Sequence, residues 1–368
     1  MTTTEPRAPS DIATALGDLF AEQGVRARVV GANTGAAISR YNIALSPGER
    51  PESVLKLLLT IQYTLGTPQV RIQVPVPGHP LMGIEVPNAE RVTVKLTDID
   101  MRGQPRLSVP LGPNIDGGPQ VANLADMPHL FLAGQTGSGK SNWLTAALCT
   151  LFMRNLPEDL RALLIDPKMV EFTPYRGLPH LLRPPVTDPN EAVRALKQLC
   201  EEMDRRYERM CAAGVRDLDS YNALPGVARM ARIAAVVDEI ADLMAVAGKA
   251  VTNYVQRAGQ KARASGIHLV LATQHPSRKI LPGEIKTNVP ARLAFALPQA
   301  VDSRMALDRP GAESLLGAGD GLYCAPNGSM VRFQAPYVTD AERDYFIERV
   351  LKRDAPQVAQ RPPLRVVS

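Results

Sequence analysis

Residues 134–141 read Gly134-Gln135-Thr136-Gly137-Ser138-Gly139-Lys140-Ser141, and the fold follows from this stretch. It satisfies GxxxxGK[ST] at every fixed position. The apolar run His129–Ala133 precedes it and a helical pattern from Asn142 to Met153 follows, which is the strand–loop–helix frame that a phosphate-binding loop needs. The glycines let backbone N–H groups turn inward around phosphates, and the helix N-terminus adds positive potential. Gly134, Gln135, Thr136, Gly137, Ser138, Gly139, Lys140, Ser141 and Asn142 are therefore expected to bind a nucleoside triphosphate. In this frame the Lys140 ammonium reaches the β- and γ-phosphates and the Ser141 hydroxyl ligates Mg²⁺.

A phosphate cradle hydrolyses poorly without a carboxylate to hold the metal. Ile233-Ala234-Ala235-Val236-Val237-Asp238-Glu239 supplies one, as an apolar strand ending in two acids. Asp238 fits the Walker B role of holding Mg²⁺, and Glu239 fits the base that polarises the attacking water. The same two acids could instead cap the next helix. Simple GTPases usually lack the second acid, so its presence favours ring-forming ATPases. Thr273-Gln274 ends a further apolar strand, and Gln274 is placed to sense the γ-phosphate. Asp166, in Ile165-Asp166-Pro167-Lys168, also ends a strand and reads as an alternative base or a structural acid.

The bulk properties agree. The chain has 368 residues, 45% hydrophobic and 21% charged, enough for two domains at roughly 100–200 residues each. No apolar run reaches the roughly 18 residues of a transmembrane helix, and Met1–Ser10 lacks a signal-peptide core. The four cysteines (Cys149, Cys200, Cys211, Cys324) have no metal-like spacing and read as free thiols of a reducing cytoplasm. A net charge of +5 with a pI near 9.0 leans toward a polyanion partner without requiring one.

Residues 1–24 read as an N-terminal tail or helix. Residues 25–106 read as a small α+β domain, with strands Val25–Val30, Ala36–Leu45, Gln69–Val74, Met82–Val86 and Arg91–Leu96 around one helix, Ser53–Ile61. Residues 107–353 switch to an α/β style. Five apolar runs, His129–Ala133, Ala162–Ile165, Ile233–Val237, Ile267–Ala272 and Arg292–Leu297, have the unbroken character of parallel strands buried on both faces. The helix over Asn190–Ala213 opens with an Asp188 cap, Pro189 in its first turn and Glu191 placed for the reciprocal hydrogen bond. The fold class is thus α/β: a P-loop NTPase with a central parallel sheet, ligand at the strands' carboxyl ends, plus the small N-terminal domain. Residues 354–368 carry Pro356, Pro362 and Pro363 and read as a flexible tail.

Between Gln274 and Lys286 the sequence His275-Pro276-Ser277-Arg278-Lys279-Ile280-Leu281-Pro282-Gly283-Glu284-Ile285-Lys286 disfavours regular structure. Its cations Arg278, Lys279 and Lys286 could track a phosphate backbone without reading bases. Lys249, beyond the paired acids, is a second candidate. For each of these lysines a solvated surface charge is the competing reading.

With these residues placed, the sequence resembles the FtsK/SpoIIIE family of DNA translocases. The resemblance is carried by Met127-Pro128-His129-Leu130 before the P-loop, Ile165–Glu171, Gly177-Leu178-Pro179-His180-Leu181-Leu182 and Glu202–Tyr207. Gly214-Val215-Arg216-Asp217, Gln260–Gln274, Asp302-Ser303-Arg304 and Gly317–Gly321 complete it. It implies a family α domain followed by a RecA-like β domain, a homohexameric ring, ATP with Mg²⁺, and double-stranded DNA in the pore. It also implies an arginine given in trans to the neighbour's γ-phosphate; Arg263 is the first candidate, with Arg257 and Arg304 behind it. His275 stands where the family usually has Arg. The family's chromosome-segregating members add membrane helices, a linker and a winged-helix domain, and this sequence reads as a motor core without them, acting in the cytoplasm. A membrane or recombination partner is not identified by the residues. The alternative from another class is a secretion-type ATPase that moves protein with the same core.

Overall fold

The computed structural model describes residues 9–76, 78–127 and 129–358, with side chains to Asp354. Residues 1–8 and 359–368, which include most of the expected C-terminal tail, lie outside the described residues.

The small domain begins earlier than expected. Helix α1 (Pro9–Glu22) buries Leu16, Leu19 and Phe20 against a four-stranded antiparallel sheet. Its strands are β1 (Ala27–Thr34), β2 (Ile38–Leu45), β3 (Arg71–Gln73) and β4 (Met82–Pro87), in the order β1-β2-β4-β3. Tyr41, Ile43 and Ile84 face that core together with Val54 and Ile61. The single expected helix is two, α2 (Pro51–Leu55) and α3 (Leu58–Leu65). The predicted strand Arg91–Leu96 forms no ladder. It is an extended strap that crosses between the domains, bonded by the Val92 N–H to the Ala36 carbonyl at 2.8 Å.

A hairpin of β5 (Ser108–Pro113) and β6 (Pro119–Asn123) leads into the large domain. There a seven-stranded sheet runs β13-β12-β11-β7-β10-β9-β8. Strands β7 (His129–Ala133), β8 (Leu160–Ile165), β9 (Arg232–Val237), β10 (Ile267–Thr273) and β11 (Ala291–Phe295) are parallel. They correspond to the five apolar runs. Two strands not read from the sequence, β12 (Asp320–Cys324) and β13 (Met330–Gln334), extend the sheet antiparallel, so it is mixed and mostly parallel.

One face is covered by α5 (Pro189–Ala212), α7 (Ile240–Lys261) and α8 (Gly283–Asn288), with α6 (Leu218–Asn222) alongside α5. The other is covered by α4 (Lys140–Arg154) and α10 (Asp340–Val358), while α9 (Ala300–Leu307) follows β11 and packs on the first face. One half of the predicted α5 cap forms, with the Glu191 N–H donating to Asp188 Oδ1 at 2.8 Å. The Glu191 carboxylate itself pairs with Arg183 at 3.5 Å.

The expected tail boundary at 354 moves. Helix α10 continues through it, and Arg353 donates to the carbonyls of Phe152, Met153 and Asn155, the orphaned C-terminal groups of the P-loop helix α4. Asp354 is wholly buried beside Arg353 and His180. A charged residue at that position is possible because the partly exposed Arg353 guanidinium pairs with it.

The two domains are joined by a buried ion network. Glu85 of β4 accepts from Arg71 and from Arg332 of β13, and Arg332 also pairs with Asp320 at 2.6 Å. Burial alone would raise the Glu85 carboxyl's pKa, but the Arg332 and Arg71 guanidinium groups outweigh it and hold the group below the ordinary glutamate range. A depressed carboxylate contributes stability at neutral pH that is lost as pH falls through its folded-state value. We expect Arg332→Ala, which strips buried Asp320 of its guanidinium partner and leaves Glu85 with Arg71 alone, to cost about 3–5 kcal/mol in denaturant unfolding at pH 7. Because Glu85 becomes protonated, the gap to wild type is expected to narrow in acid. A loss too small to resolve at pH 7 would show that the network does not hold the domains.

Candidate nucleotide site

The site lies where the strand order reverses. From β7 the chain crosses to the far edge at β8, returns through β9 and β10, and then places β11 on β7's other side. Such a switch point opens a crevice at the carboxyl ends of the strands. The P-loop leaves β7 there. Gly134 N–H donates to the Thr273 carbonyl at 3.2 Å and Gln135 N–H to the Ala296 carbonyl at 3.0 Å, so both neighbouring strands anchor it.

The turn requires its glycines. Gly137 and Gly139 have φ of 75° and 108°, and a Cβ on Gly139 would stand 2.5 Å from the Gly319 backbone nitrogen. That close approach is part of a second loop, Gly317-Ala318-Gly319, whose Gly319 N–H donates to the Ser138 carbonyl at 2.9 Å. In the sequence these glycines belong to the family pattern, and the contact with the P-loop is visible only in the fold.

Lys140 opens α4 and points across the sheet. Its ammonium donates to Asp238 Oδ1 at 2.6 Å and to the Asp238 carbonyl at 3.0 Å. Both side chains are 3% exposed. Asp238 ends β9, two strands from β7 and roughly 10 Å across the sheet, and the lysine's long stem closes that gap. Gln274, at the end of the intervening β10, accepts from the Thr136 hydroxyl at 3.2 Å. The sequence-predicted P-loop, Asp238 and Gln274 therefore converge.

Glu239 is held differently. It is the N-cap of α7, and its carboxylate accepts from the Thr273 hydroxyl at 2.6 Å, the Gln274 N–H at 3.1 Å and the Lys168 ammonium at 3.3 Å. Lys168 and Gln274 cover it and line the cavity themselves. The structure shows the capping role, and the Glu239 carboxylate does not itself line the cavity.

Asp166 is structural. Its Oδ2 accepts from the Glu171 and Phe172 N–H groups at 2.8 and 2.9 Å, folding the turn that carries Lys168 and Glu171 to the cavity wall. Glu171 had no individual role in the sequence reading. Burial raises its carboxyl's pKa, with the Ser141 hydroxyl beside it opposing the shift.

The cavity measures about 740 Å³, within the usual range for small-molecule sites. Its donor set fits a magnesium–triphosphate. Gly137 and Gly139, whose positive φ curls the P-loop backbone, border the cavity together with the Lys140 ammonium and the Ser141, Asp238 and Glu171 side chains. Lys140, Ser141 and Asp238 would hold the metal and phosphates there.

Other predicted residues lie elsewhere. Arg263 is exposed just ahead of β10, at the opposite end of that strand from Gln274. Seven residues of strand put it roughly 20 Å from its own phosphate end, so it does not serve that site from within the chain. Arg257 is paired with Asp204, and Arg304 is exposed on α9. Arg278 and Lys279 are exposed on a loop pinned by buried Ile280 and Leu281. Lys249 is exposed two residues past a break in α7 at Ala247. Lys286 is not presented as a free cation. It pairs with Asp308, which also takes Arg292.

Replacing Lys140 by Ala is expected to abolish nucleotide binding by calorimetry while retaining the secondary structure by circular dichroism, at a cost in stability because buried Asp238 loses its partner. Binding within threefold of wild type would contradict the role assigned to Lys140.

Comparison with known proteins agrees with this geometry. The model described as the FtsK/SpoIIIE family matches residues 97–278, and that of the FtsK alpha domain matches residues 2–88. The DNA translocase FtsK of Mycobacterium leprae (strain TN) is 45% identical over 91% of this chain and 42% of its own length. That of Tropheryma whipplei (strain TW08/27) is 40% identical over 94% of this chain and 48% of its own. The chain spans less than half the length of these curated relatives. Among solved structures, the pCW3 conjugation coupling protein TcpA, a monomer form with ATPγS, superposes with a TM-score of 0.65 at 22% identity, covering 94% of this chain and 98% of its own. The cytoplasmic domain of the type VII secretion ATPase EccC from Thermomonospora curvata gives 0.61 at 26% identity, over 68% of this chain and 32% of its own. On the family models and on the identity to these relatives, the chain belongs to the FtsK/SpoIIIE family of P-loop ATPases.

Proposed function

We propose that this chain is the motor core of an ATP-driven double-stranded DNA translocase, acting in the cytoplasm as a ring of identical subunits, six by family analogy, with Mg²⁺ as the metal. The observation that carries this reading is the meeting of Lys140, Ser141 and Asp238 around one cavity in a chain 45% identical to proteins named DNA translocase FtsK.

In this scheme Lys140 would turn from Asp238 to the phosphates, and the Asp238 carboxylate with the Ser141 hydroxyl would hold the metal. Mg²⁺ supplies charge neutralisation on the phosphate oxygens. Glu239 accepts the proton of the attacking water at Oε2 once Lys168 and the Gln274 N–H release it. Gln274, bonded to both the P-loop and Glu239, passes the state of the site to the loop bearing Arg278 and Lys279. The position of Arg263, at the far end of β10 from its own cavity, suits a neighbour's site. Arg278, Lys279 and Lys249 grip phosphates without base contacts, while Lys286 braces their loop.

The test is ATP hydrolysis with and without duplex DNA. The motor reading predicts strong stimulation by any sequence, falling steeply with salt. Turnover that ignores DNA would move the assignment to the secretion-type alternative. Converting both Arg278 and Lys279 to Glu is expected to leave basal turnover unchanged and lower the salt slope of DNA binding by about 2; an unaltered slope would remove these residues from the DNA path.

Two further substitutions address the chemistry. Glu239→Gln is expected to keep nucleotide binding but slow hydrolysis at least a hundredfold, and wild-type turnover would refute the base assignment. Mixing Arg263→Ala with Lys140→Ala subunits is expected to restore part of the activity that each lacks alone. Failure to do so, with normal assembly, would count against Arg263 acting in trans.

A further inference from the structure

A second cavity lies between the two domains. It measures about 410 Å³, in the lower part of the usual small-molecule range. Among the described residues none lines both this cavity and the nucleotide cavity.

One wall is the face of the small sheet that turns away from its apolar core. Tyr41, Ile43 and Ile84 point into that core, so the alternate residues Arg40, Asn42 and Glu85 point the other way. The strand register sets Asn33, Arg40, Glu85 and Arg71 in one polar row across β1, β2, β4 and β3. The neighbouring row is Gly31, Asn42, Gly83 and Gln73, in which two glycines leave the wall open on either side of Asn42. A Cβ on Gly83 would stand 2.8 Å from the Arg40 Cδ, so the arginine stem lies over that gap. The rest of the lining comes from the large domain, from the β5–β6 turn with Asn114 and Asp116 and from Met330–Arg332 of β13.

The buried charges along this wall do not balance. Three guanidinium groups, Arg40, Arg71 and Arg332, meet two buried carboxylates, Glu85 and Asp320, and Arg71 and Arg332 take both. Arg40 is left to Asp116 on the hairpin turn, and that pair is lopsided. The Arg40 side chain is 7% exposed and the Asp116 side chain 45%. Arg40 Nη2 donates to Asp116 Oδ1 at 2.6 Å and Nε to Asn42 Oδ1 at 3.1 Å, while Nη1 reaches Asp116 Oδ2 only at 3.5 Å. A buried guanidinium cannot give up its anion without a replacement. A half-exposed carboxylate can return to water at little cost. Arg40 is therefore a fixed anion receptor, and its present occupant is the exchangeable partner.

We propose that this interdomain cavity binds a small oxyanion-bearing molecule, a carboxylate or phosphate compound, whose anionic group takes the Arg40 guanidinium in place of Asp116. Both groups match the planar, bidentate geometry of arginine, and the Gln73 and Asn114 amides border the space left for the polar body of the ligand. Binding exchanges one ion pair that joins the domains and leaves the other, Glu85 with Arg332, in place. The site is independent of the nucleotide reading.

Competition with Asp116 gives the test its sign. Inorganic phosphate and succinate, one probe for each anionic group, are titrated calorimetrically into the full chain with the P-loop saturated by a non-hydrolysable ATP analogue. Asp116→Asn removes the charge of the present occupant and is expected to tighten at least one probe threefold or more over wild type. Tightening of phosphate alone assigns a phosphate compound, and of succinate alone a carboxylate. Arg40→Gln is expected to weaken the same probe at least tenfold, the loss of one charge-assisted hydrogen bond. Arg40→Gln also removes a buried interdomain contact, so Asp116→Asn decides alone. The proposal is overturned if Asp116→Asn binds neither probe more tightly than wild type, which would leave the Arg40–Asp116 pair purely structural. It is overturned as well if a folded Arg40→Gln protein binds the probe as wild type does.

Discussion

A buried ammonium–carboxylate contact, Lys140 to Asp238, organises this molecule. Neither charge could sit there alone, since an unpaired buried ion costs several kcal/mol. Paired, they join the helix after β7 to the end of β9, across β10. The sheet must therefore hold these three strands in register at their carboxyl ends, and the P-loop must turn tightly enough to aim Lys140 sideways. Gly139 and Gly319 pass in contact to allow that turn. The pair also prepares the site for a ligand. In the proposed scheme a triphosphate would draw the lysine away and leave the carboxylate free to hold a magnesium ion.

A second layer of charge transmits this arrangement outward. Asp320 follows directly on the Gly317–Gly319 loop that touches the P-loop, and it holds Arg332, which reaches Glu85 in the small domain. A shift of the glycine loop is thus mechanically joined to β4 through buried groups that have no alternative solvation. The strap Arg91–Val94 makes a second connection along the cavity itself. Two independent links favour a small domain that moves with the nucleotide site rather than one that hangs from it. At the other end, Arg353 of α10 caps the P-loop helix, so both ends of α4 are fixed by side chains from distant parts of the chain.

The sequence disclosed those features that depend on local pattern. The P-loop is framed by its strand and helix, Asp238 ends an unbroken apolar run, and the five parallel strands are continuous hydrophobic segments because both their faces are covered. Features set by distant pairing were hidden. Strands β12 and β13 are only five residues each and set Asp320 and Arg332 among their apolar residues, so neither reads as an unbroken apolar run. Val92 and Val94 alternate like a strand, yet no neighbouring strand ladders with them. Lys286 reads as a free cation until Asp308, at the end of α9, folds against it. The helix through Asp354 was obscured by Pro356 and by a buried acid whose partners, Arg353 and His180, only the fold assembles.

The central claim is that one cavity, built by Lys140, Ser141 and Asp238, receives a magnesium–triphosphate. It is tested most directly by an experimental structure of the protein with Mg²⁺ and a non-hydrolysable ATP analogue. The account predicts the Lys140 ammonium withdrawn from Asp238 and bonded to phosphate oxygens, with the metal between Ser141 and Asp238. A structure in which Lys140 kept its contact with Asp238 while the nucleotide bound elsewhere would contradict it.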